Sequence, residues 1–339
     1  MNNGSFFIVG GINMKFLIDF TNLPYSNKHY GGNAGLKRGV IIDDRNWLLK
    51  FPQETSTFDN VTISFTTSPL SEYVGSHIYQ ILGYNSHNTK LGYYFNKELG
   101  KKQIVVACED FTENDKYTLV DYESIKNNYS DELQNELIKL NESLPKYKSS
   151  GISQHSIKIE EILLQFEMND LFKDNQDIKN LFWEMLVIDF IINNNDRNKN
   201  NWGLLYNKDA KSYKPAPIYD NGSSFVSKHT DEKLLGIMST ESKMINSVLN
   251  GMCYYTIDNV VMNFKKFFET LHTKNLDKDL NNAIEIVKDR IVNSWNSIVQ
   301  FINDIPNDEE GLKIISDVQK NFFIESMRIR INYIFNLDL

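Results

Sequence analysis

The chain has 339 residues, 41% hydrophobic and 24% charged, with a formal net charge of -8. That length is enough for two lobes, each with a core, and the composition is that of a globular protein. The negative balance argues against nucleic acid as the main partner, and the two cysteines, Cys108 and Cys253, form neither a disulfide framework nor a zinc site and read as buried thiols.

No stretch approaches the length of a membrane span. Residues 6–12 form a short apolar run without the basic region of a signal peptide. Met14-Lys15-Phe16 has the look of a natural start, so the residues before it are a leader, a fusion remnant or a genuine extension.

In chain order, residues 16–20 read as a short strand. Tyr30-Gly31-Gly32-Asn33-Ala34-Gly35-Leu36-Lys37-Arg38-Gly39 follows, then strand-like runs over 40–42 and 47–51. Glycines let backbone amides approach phosphate oxygens, and Lys37 or Arg38 adds charge. The spacing is not that of a P-loop, and a plain hairpin is the competing reading. Lys50 stands inside an apolar strand, on the face of Leu48 and opposite Trp47, Leu49 and Phe51. It needs a carboxylate partner or a route to water. Glu72 can supply the first, from the opening turn of a helix expected over 68–83.

Strands are expected over 90–96 and 103–108. The chain then leaves through Glu109-Asp110-Phe111, which places the main boundary near Glu113. From Tyr122 onward the pattern is mostly helical: 131–140, 157–172, 177–192, 234–249, 257–271, 276–301 and 312–335. Residues 146–153 read as a flexible link, and the acidic run 308–310 as a solvated helix start. His29, His77, His87, His155, His229 and His272 show no metal-ligand spacing.

The stretch 189–225 carries the chemistry. The apolar helix ending at Ile192 runs into a polar loop with Asp196 and, five positions on, Asn201. A short strand over 202–206 follows, then a second that ends at Asp220 and delivers Asn221-Gly222-Ser223-Ser224. Phosphoryl transfer needs one carboxylate to orient the attacking hydroxyl and take its proton. It also needs an amide oxygen and a second carboxylate to hold Mg²⁺ against the phosphates. A polar turn made by Asn, Asp and Gly is the bland alternative.

These segments, together with Trp47-Leu48-Leu49-Lys50-Phe51-Pro52, Ser71-Glu72-Tyr73 and Tyr219-Asp220-Asn221-Gly222, resemble the HipA-like serine/threonine kinases. The resemblance covers residues 30–225 and is nearest to the short, stand-alone members. It implies an α+β fold, bilobal and protein-kinase-like, with a β-rich N-lobe over 1–113 and an α-helical C-lobe over 114–339. It implies Mg²⁺ and ATP, with Lys50 as the phosphate lysine, Glu72 as its partner and Asp196 as the catalytic base. Asn201 and Asp220 become the metal ligands. Gly31, Gly32, Asn33, Ala34, Gly35 and Lys37 cover the nucleotide phosphates, and Glu109 and Asp110 mark where the base meets backbone groups.

Two positions depart from the pattern. Asn198 stands where the family usually has His, which puts a proton relay there in doubt. Asn221 stands where ordinary protein kinases have Phe, so aromatic in/out switching does not carry over. The resemblance further implies autophosphorylation just before the glycine-rich loop, where this chain has Tyr30, with Ser26 the nearest serine upstream; a Tyr30 that simply packs its ring is the alternative. It implies a protein substrate, including a host protein, for a monomeric enzyme that is cytoplasmic or secreted as an effector without a classical signal peptide. Two other functions fit the residues alone: a small-molecule or lipid kinase, and a non-catalytic nucleotide-binding module or toxin.

Overall fold

Alternation of apolar side chains builds the first half of the chain. β1 (Ile18–Asp19), β2 (Lys37–Ile42), β3 (Arg45–Lys50), β4 (Thr89–Asn96) and β5 (Lys101–Glu109) form one sheet in the order β1-β4-β5-β3-β2, with helix α1 (Ser68–Ile81) inserted between β3 and β4. The computed structural model describes residues 15–28, 30–31, 36–56, 63–145, 156–173, 175–337 and 339. Asp43 and Asp44, at φ 50° and 60°, join β2 to β3 in a two-residue turn whose left-handed residues match the strand twist. One sheet face buries Val40, Trp47, Leu49, Val105 and Ala107 in a small core. The other face sets Leu91, Val106 and Cys108 against the helix residues Leu70, Val74 and Ile78. Each fully buried Val or Leu contributes about 1.5–3 kcal/mol over an exposed one.

The second half is mainly helical. β6 (Tyr117–Asp121), α2 (Tyr122–Lys126), α3 (Asp131–Ser143), β7 (Ile157–Lys158) and α4 (Ile159–Met168) lead to α5 (Gln176–Ile192), which is buried along most of its length. β8 (Gly203–Asn207) pairs with β6 and with β9 (Ser212–Pro215). Next come α6 (Asp231–Met238), α7 (Glu241–Leu249), the hairpin β10 (Met252–Ile257) and β11 (Val260–Asn263), and α8 (Phe264–Lys274). The chain closes with α9 (Asp279–Asp304), the hairpin β12 (Asp308–Glu309) and β13 (Leu312–Lys313), and α10 (Asp317–Phe335). Among the described residues, no helix is long and apolar enough to cross a membrane.

Several expectations change. The helix expected from residue 257 starts at Phe264, because Asp258 and Asn259, at φ 52° and 59°, turn the preceding aromatic and β-branched run into a hairpin. The helix expected over 234–249 is two, since Thr240 caps a new start by accepting from Lys243 N. The strand expected to reach Asp220 stops at Pro215; Pro215 and Pro217 lack the N–H that a ladder needs, and Ile218 instead bridges Ser86. The acidic run 308–310 opens a hairpin rather than a helix. Glu309 there accepts hydrogen bonds from Phe16 N (2.8 Å) and Leu17 N (2.7 Å), tying the start of the sheet region to the C-terminal helices. Residues 6–12, Met14 and 146–153 lie outside the described residues, as do His29 and His155.

Helix α1 is also held by α9. His77 stacks on Phe301 with centroids 5.0 Å apart, and Arg290 Nη1 donates to Leu82 O at 2.7 Å just past the end of α1. The helix that bears Glu72 is therefore anchored on the helical half of the molecule.

Candidate active site

The polar loop after α5 is fixed from below. Asn193 ends the helix in the left-handed conformation (φ 55°), which Asn tolerates, and its side-chain amide donates to Phe225 O at 2.9 Å. Arg197, fully buried, forks onto Asp189 of α5 through Nε (2.8 Å) and Nη2 (3.1 Å). Burial opposes the guanidinium charge, and Asp189 more than offsets it. Nη2 also donates to Asn221 Oδ1 (2.7 Å), and Nη1 donates to Asn201 O (2.9 Å) and to Tyr219 O. One side chain thus joins the loop to the segment bearing Asp220.

Within the loop, Asn201 Nδ2 donates to Asp196 O at 2.7 Å. Asn198 Nδ2 donates to Asp196 Oδ1 at 3.1 Å. Where the family usually places an imidazole, an amide therefore orients the carboxylate. Beside Asp196 lies a cavity of about 490 Å³ lined by both halves of the molecule, among others Gln53, Asn195, Gly222, Lys228 and Tyr254.

Across the cleft, Lys50 Nζ donates to Glu72 Oε2 (2.6 Å) and to Asp220 Oδ1 (2.7 Å). Glu72 lies one turn deeper in α1 than expected and is fully buried. Burial works against its charged form, but Lys50 and a hydrogen bond from His87 outweigh that and hold the carboxyl well below the usual range. For Lys50 burial likewise opposes the charge, and Asp220 and Glu72 raise its pKa above the ordinary lysine value. Asp220 takes φ 61°. The next residue, Asn221, donates its backbone N–H to Glu72 Oε1 at 2.8 Å and its side-chain amide to Ser76 Oγ at 3.0 Å.

Of the glycine-rich stretch, Gly32, Asn33, Ala34 and Gly35 lie outside the described residues. Lys37 Nζ donates to Gly31 O at 3.1 Å. Lys37 sits directly opposite Lys50 in the β2–β3 register, and burial followed by the Lys50 charge lowers its pKa. Glu109 is drawn to Arg45 and Asn88, and Asp110 to Lys28, Tyr30 and Thr112. The side chains at this connection are thus engaged with protein.

The ligand atoms of Glu72, His87 and Cys108 lie within 4.8 Å of one another. Lys50 already pairs with Glu72, and burial pushes the Cys108 thiol up, away from the thiolate a soft metal requires.

No family model matches the chain. It is 30% identical over 311 residues to the serine/threonine-protein kinase CtkA of Helicobacter pylori, which covers 90% of this chain and 82% of that protein. The chain belongs to the HipA-like serine/threonine kinase family. The crystal structure of the H. pylori proinflammatory kinase CtkA matches with a TM-score of 0.74 at 27% identity, over 94% of this chain and 98% of that one. The α+β kinase-like fold is thereby established, with a sheet-rich and a helical region. HipA of Shewanella oneidensis, solved with HipB and operator DNA, aligns over 92% of this chain and 67% of that one, at 11% identity and a TM-score of 0.49.

Several residues of this HipA-like kinase escaped the sequence reading. Asp189 had a signal, as a carboxylate inside the most apolar helix. Arg197 was visible only as the neighbour of Asp196. His87 and Ser76 had no signal at all, because their roles arise from contacts with Glu72 and Asn221 that no spacing encodes.

Proposed function

We propose that the chain transfers the γ-phosphate of ATP to serine or threonine hydroxyls of protein substrates. The observation that carries this reading is Lys50, gripped by Glu72 and Asp220 and facing Lys37 across a hairpin. Like charges directly opposite in paired strands repel. An anionic ligand between them, such as the phosphates of a nucleotide, offsets the repulsion. In this reading the chain divides near Glu113 into an N-lobe (1–113) and a helical C-lobe (114–339). Gly31, Gly32, Asn33, Ala34, Gly35 and Lys37 cover the phosphates, and the base lies against backbone near Glu109 and Asp110.

Asn201 and Asp220 would hold Mg²⁺. Both offer hard oxygen donors. The Asn201 amide nitrogen turns to Asp196 O, which directs its Oδ1 elsewhere, and Asp220 Oδ2 has no partner among the described residues. The ion supplies charge neutralisation at the phosphates.

The acceptor hydroxyl enters the cavity beside Asp196. Its oxygen bonds to the γ-phosphorus, the bond from that phosphorus to the bridging oxygen breaks, ADP leaves, and Asp196 takes the hydroxyl proton. Asn198 fixes the Asp196 carboxylate for that transfer. Self-phosphorylation at Tyr30 or Ser26 belongs to the same proposal. Tyr30 Oη donates to Asp110 Oδ2 at 2.9 Å and Ser26 Oγ to Asn46 Oδ1 at 2.6 Å. A phosphate at Tyr30 would set about -1.5 to -2 charges beside Asp110 and push the segment outward. Secretion and host-protein substrates are carried over from the family resemblance.

The test is transfer of labelled γ-phosphate to generic protein and to the enzyme itself, with and without Mg²⁺, followed by mass spectrometry. Mg²⁺-dependent phosphoserine or phosphothreonine is expected, and Asp220→Asn should shift the Mg²⁺ requirement upward. Transfer only to lipid or small molecules, or nucleotide binding without turnover, would overturn the reading.

A further inference from the structure

We infer that His87 is a positioning residue of the phosphate grip: it holds Glu72 in place for Lys50 and couples that grip to the segment bearing Asp220. The inference rests on the kinase reading above.

Glu72 is a buried carboxylate with both oxygens engaged. Oε2 takes Lys50 Nζ; Oε1 takes His87 Nε2 at 2.9 Å and Asn221 N at 2.8 Å. An ionised carboxylate only accepts hydrogen bonds, so Nε2 of His87 carries a proton and donates it. Ser76 Oγ, 3.0 Å from the same nitrogen, accepts from Asn221 Nδ2 and completes a closed polar cluster of Glu72, Ser76, His87 and Asn221, all buried.

The backbone of the His87 loop is tied down separately. Ile218 N donates to Asn85 O (2.8 Å), and His87 N and Ser86 Oγ donate to Ile218 O (3.0 and 2.9 Å). Ile218 precedes Asp220 by two residues. The loop thus grips the Asp220 segment through its backbone and Glu72 through its imidazole. Without the ring, Oε1 loses one of its donors in a site closed to water, and the carboxylate can turn away from Lys50. Lys50 then follows Asp220, and the phosphate-binding ammonium is misplaced.

Position 87 allows a discriminating substitution. The amide nitrogen of Gln reaches where Nε2 of His lies, and that of Asn reaches only the Nδ1 position. We expect His87→Ala and His87→Asn to lower kcat/KM for ATP by about 10- to 100-fold, the scale of a sub-ångström to ångström misplacement. His87→Gln should stay within about threefold of wild type. The measurements are kcat and KM for ATP on a generic protein substrate, the Kd for Mg-ADP, and the thermal midpoint of each variant. A merely structural role predicts losses that track the thermal midpoint and treat Gln and Asn alike; either result overturns the inference. Lys50→Met in the same assay separates the two levels of the argument. If the wild-type enzyme transfers no phosphate to protein, the kinase reading falls; if it does and Lys50→Met is as active, the phosphate grip falls and the role of His87 with it. If Lys50→Met is inactive while His87→Asn matches His87→Gln, only the role of His87 falls.

Discussion

Asp196 and Asn201 stand five residues apart on one loop, whereas Lys50 and Asp220 meet across a separation of 170 residues, with Glu72 brought in by a helix from between them. The loop is a local object, held by an αL helix cap and by amide groups of its own neighbours. The grip is assembled from a strand, a helix and a post-strand segment that lie far apart in the chain. A local object is set mainly by its own sequence. A dispersed one is set by the fold, and damage to it should appear as coupling between distant residues.

The largest effect is expected in the loop. Asp196→Ala removes the proposed base from a half-buried site, and the rate of phosphoryl transfer should fall by about 10²–10⁴-fold. The thermal midpoint and the affinity for ATP should change little. A variant with near-normal turnover would remove Asp196 from the mechanism and leave the loop as a turn.

Arg197 tests how local the loop is. Its partner Asp189 and the arginine itself are buried, so Arg197→Ala leaves an unpaired carboxylate in the interior. Removal of one member of such a pair costs about 3–5 kcal/mol. Denaturant unfolding should register that loss. Turnover should fall as well, because the same guanidinium reaches Asn201 O and Asn221 Oδ1. An unchanged unfolding midpoint would mean that the loop stands without its anchor.

This contrast explains what the sequence could and could not reveal. Strands β2 to β5 and helices α1 and α5 follow from alternation and from helical spacing, and each emerged within a few residues of its place. Lys50 and Glu72 were singled out by one lysine in an apolar strand and one acid near a helix start, and the fold sets them 2.6 Å apart. The helix expected over 257–271 reached too far back because Phe264 and the helix after it lent their period to residues 257–263, while the Asp258-Asn259 turn went unweighed. His87 could not be found by any pattern: it is a loop histidine whose importance depends on where α1 and Asn221 come to rest.

The dispersed character of the grip yields the next prediction. Lys50→Ala and Glu72→Ala each dismantle one unit. The double variant should therefore be little worse than either single one, with a coupling energy within about 0.5–3 kcal/mol in a double-mutant cycle on kcat/KM. Simple additivity would separate the two residues and make Lys50 a lysine that reaches for water.

The smallest effect is also the most local probe of how the two regions meet. Gly75 lies on α1 where the Asn221 segment presses against the helix; a Cβ there would stand 2.9 Å from Asn221 Cβ and 3.0 Å from Ser224 Oγ. Gly236 lies in α6, and a Cβ there meets nothing within 4 Å. Both are helical glycines, so Ala at either gains about 0.8–1 kcal/mol of helix propensity. At Gly236 that gain stands alone, and Gly236→Ala should raise the unfolding free energy by about that amount with turnover unchanged. At Gly75 it is offset by overpacking, typically about 1–3 kcal/mol. Gly75→Ala should therefore be destabilised by about 1 kcal/mol relative to wild type. Because the displaced group is Asn221, whose N–H holds Glu72, turnover should also fall several-fold, with KM for ATP rising. If Gly75→Ala is instead as stable and as active as Gly236→Ala, α1 and the Asn221 segment have room to part, and the grip tolerates a looser fit than its distances suggest.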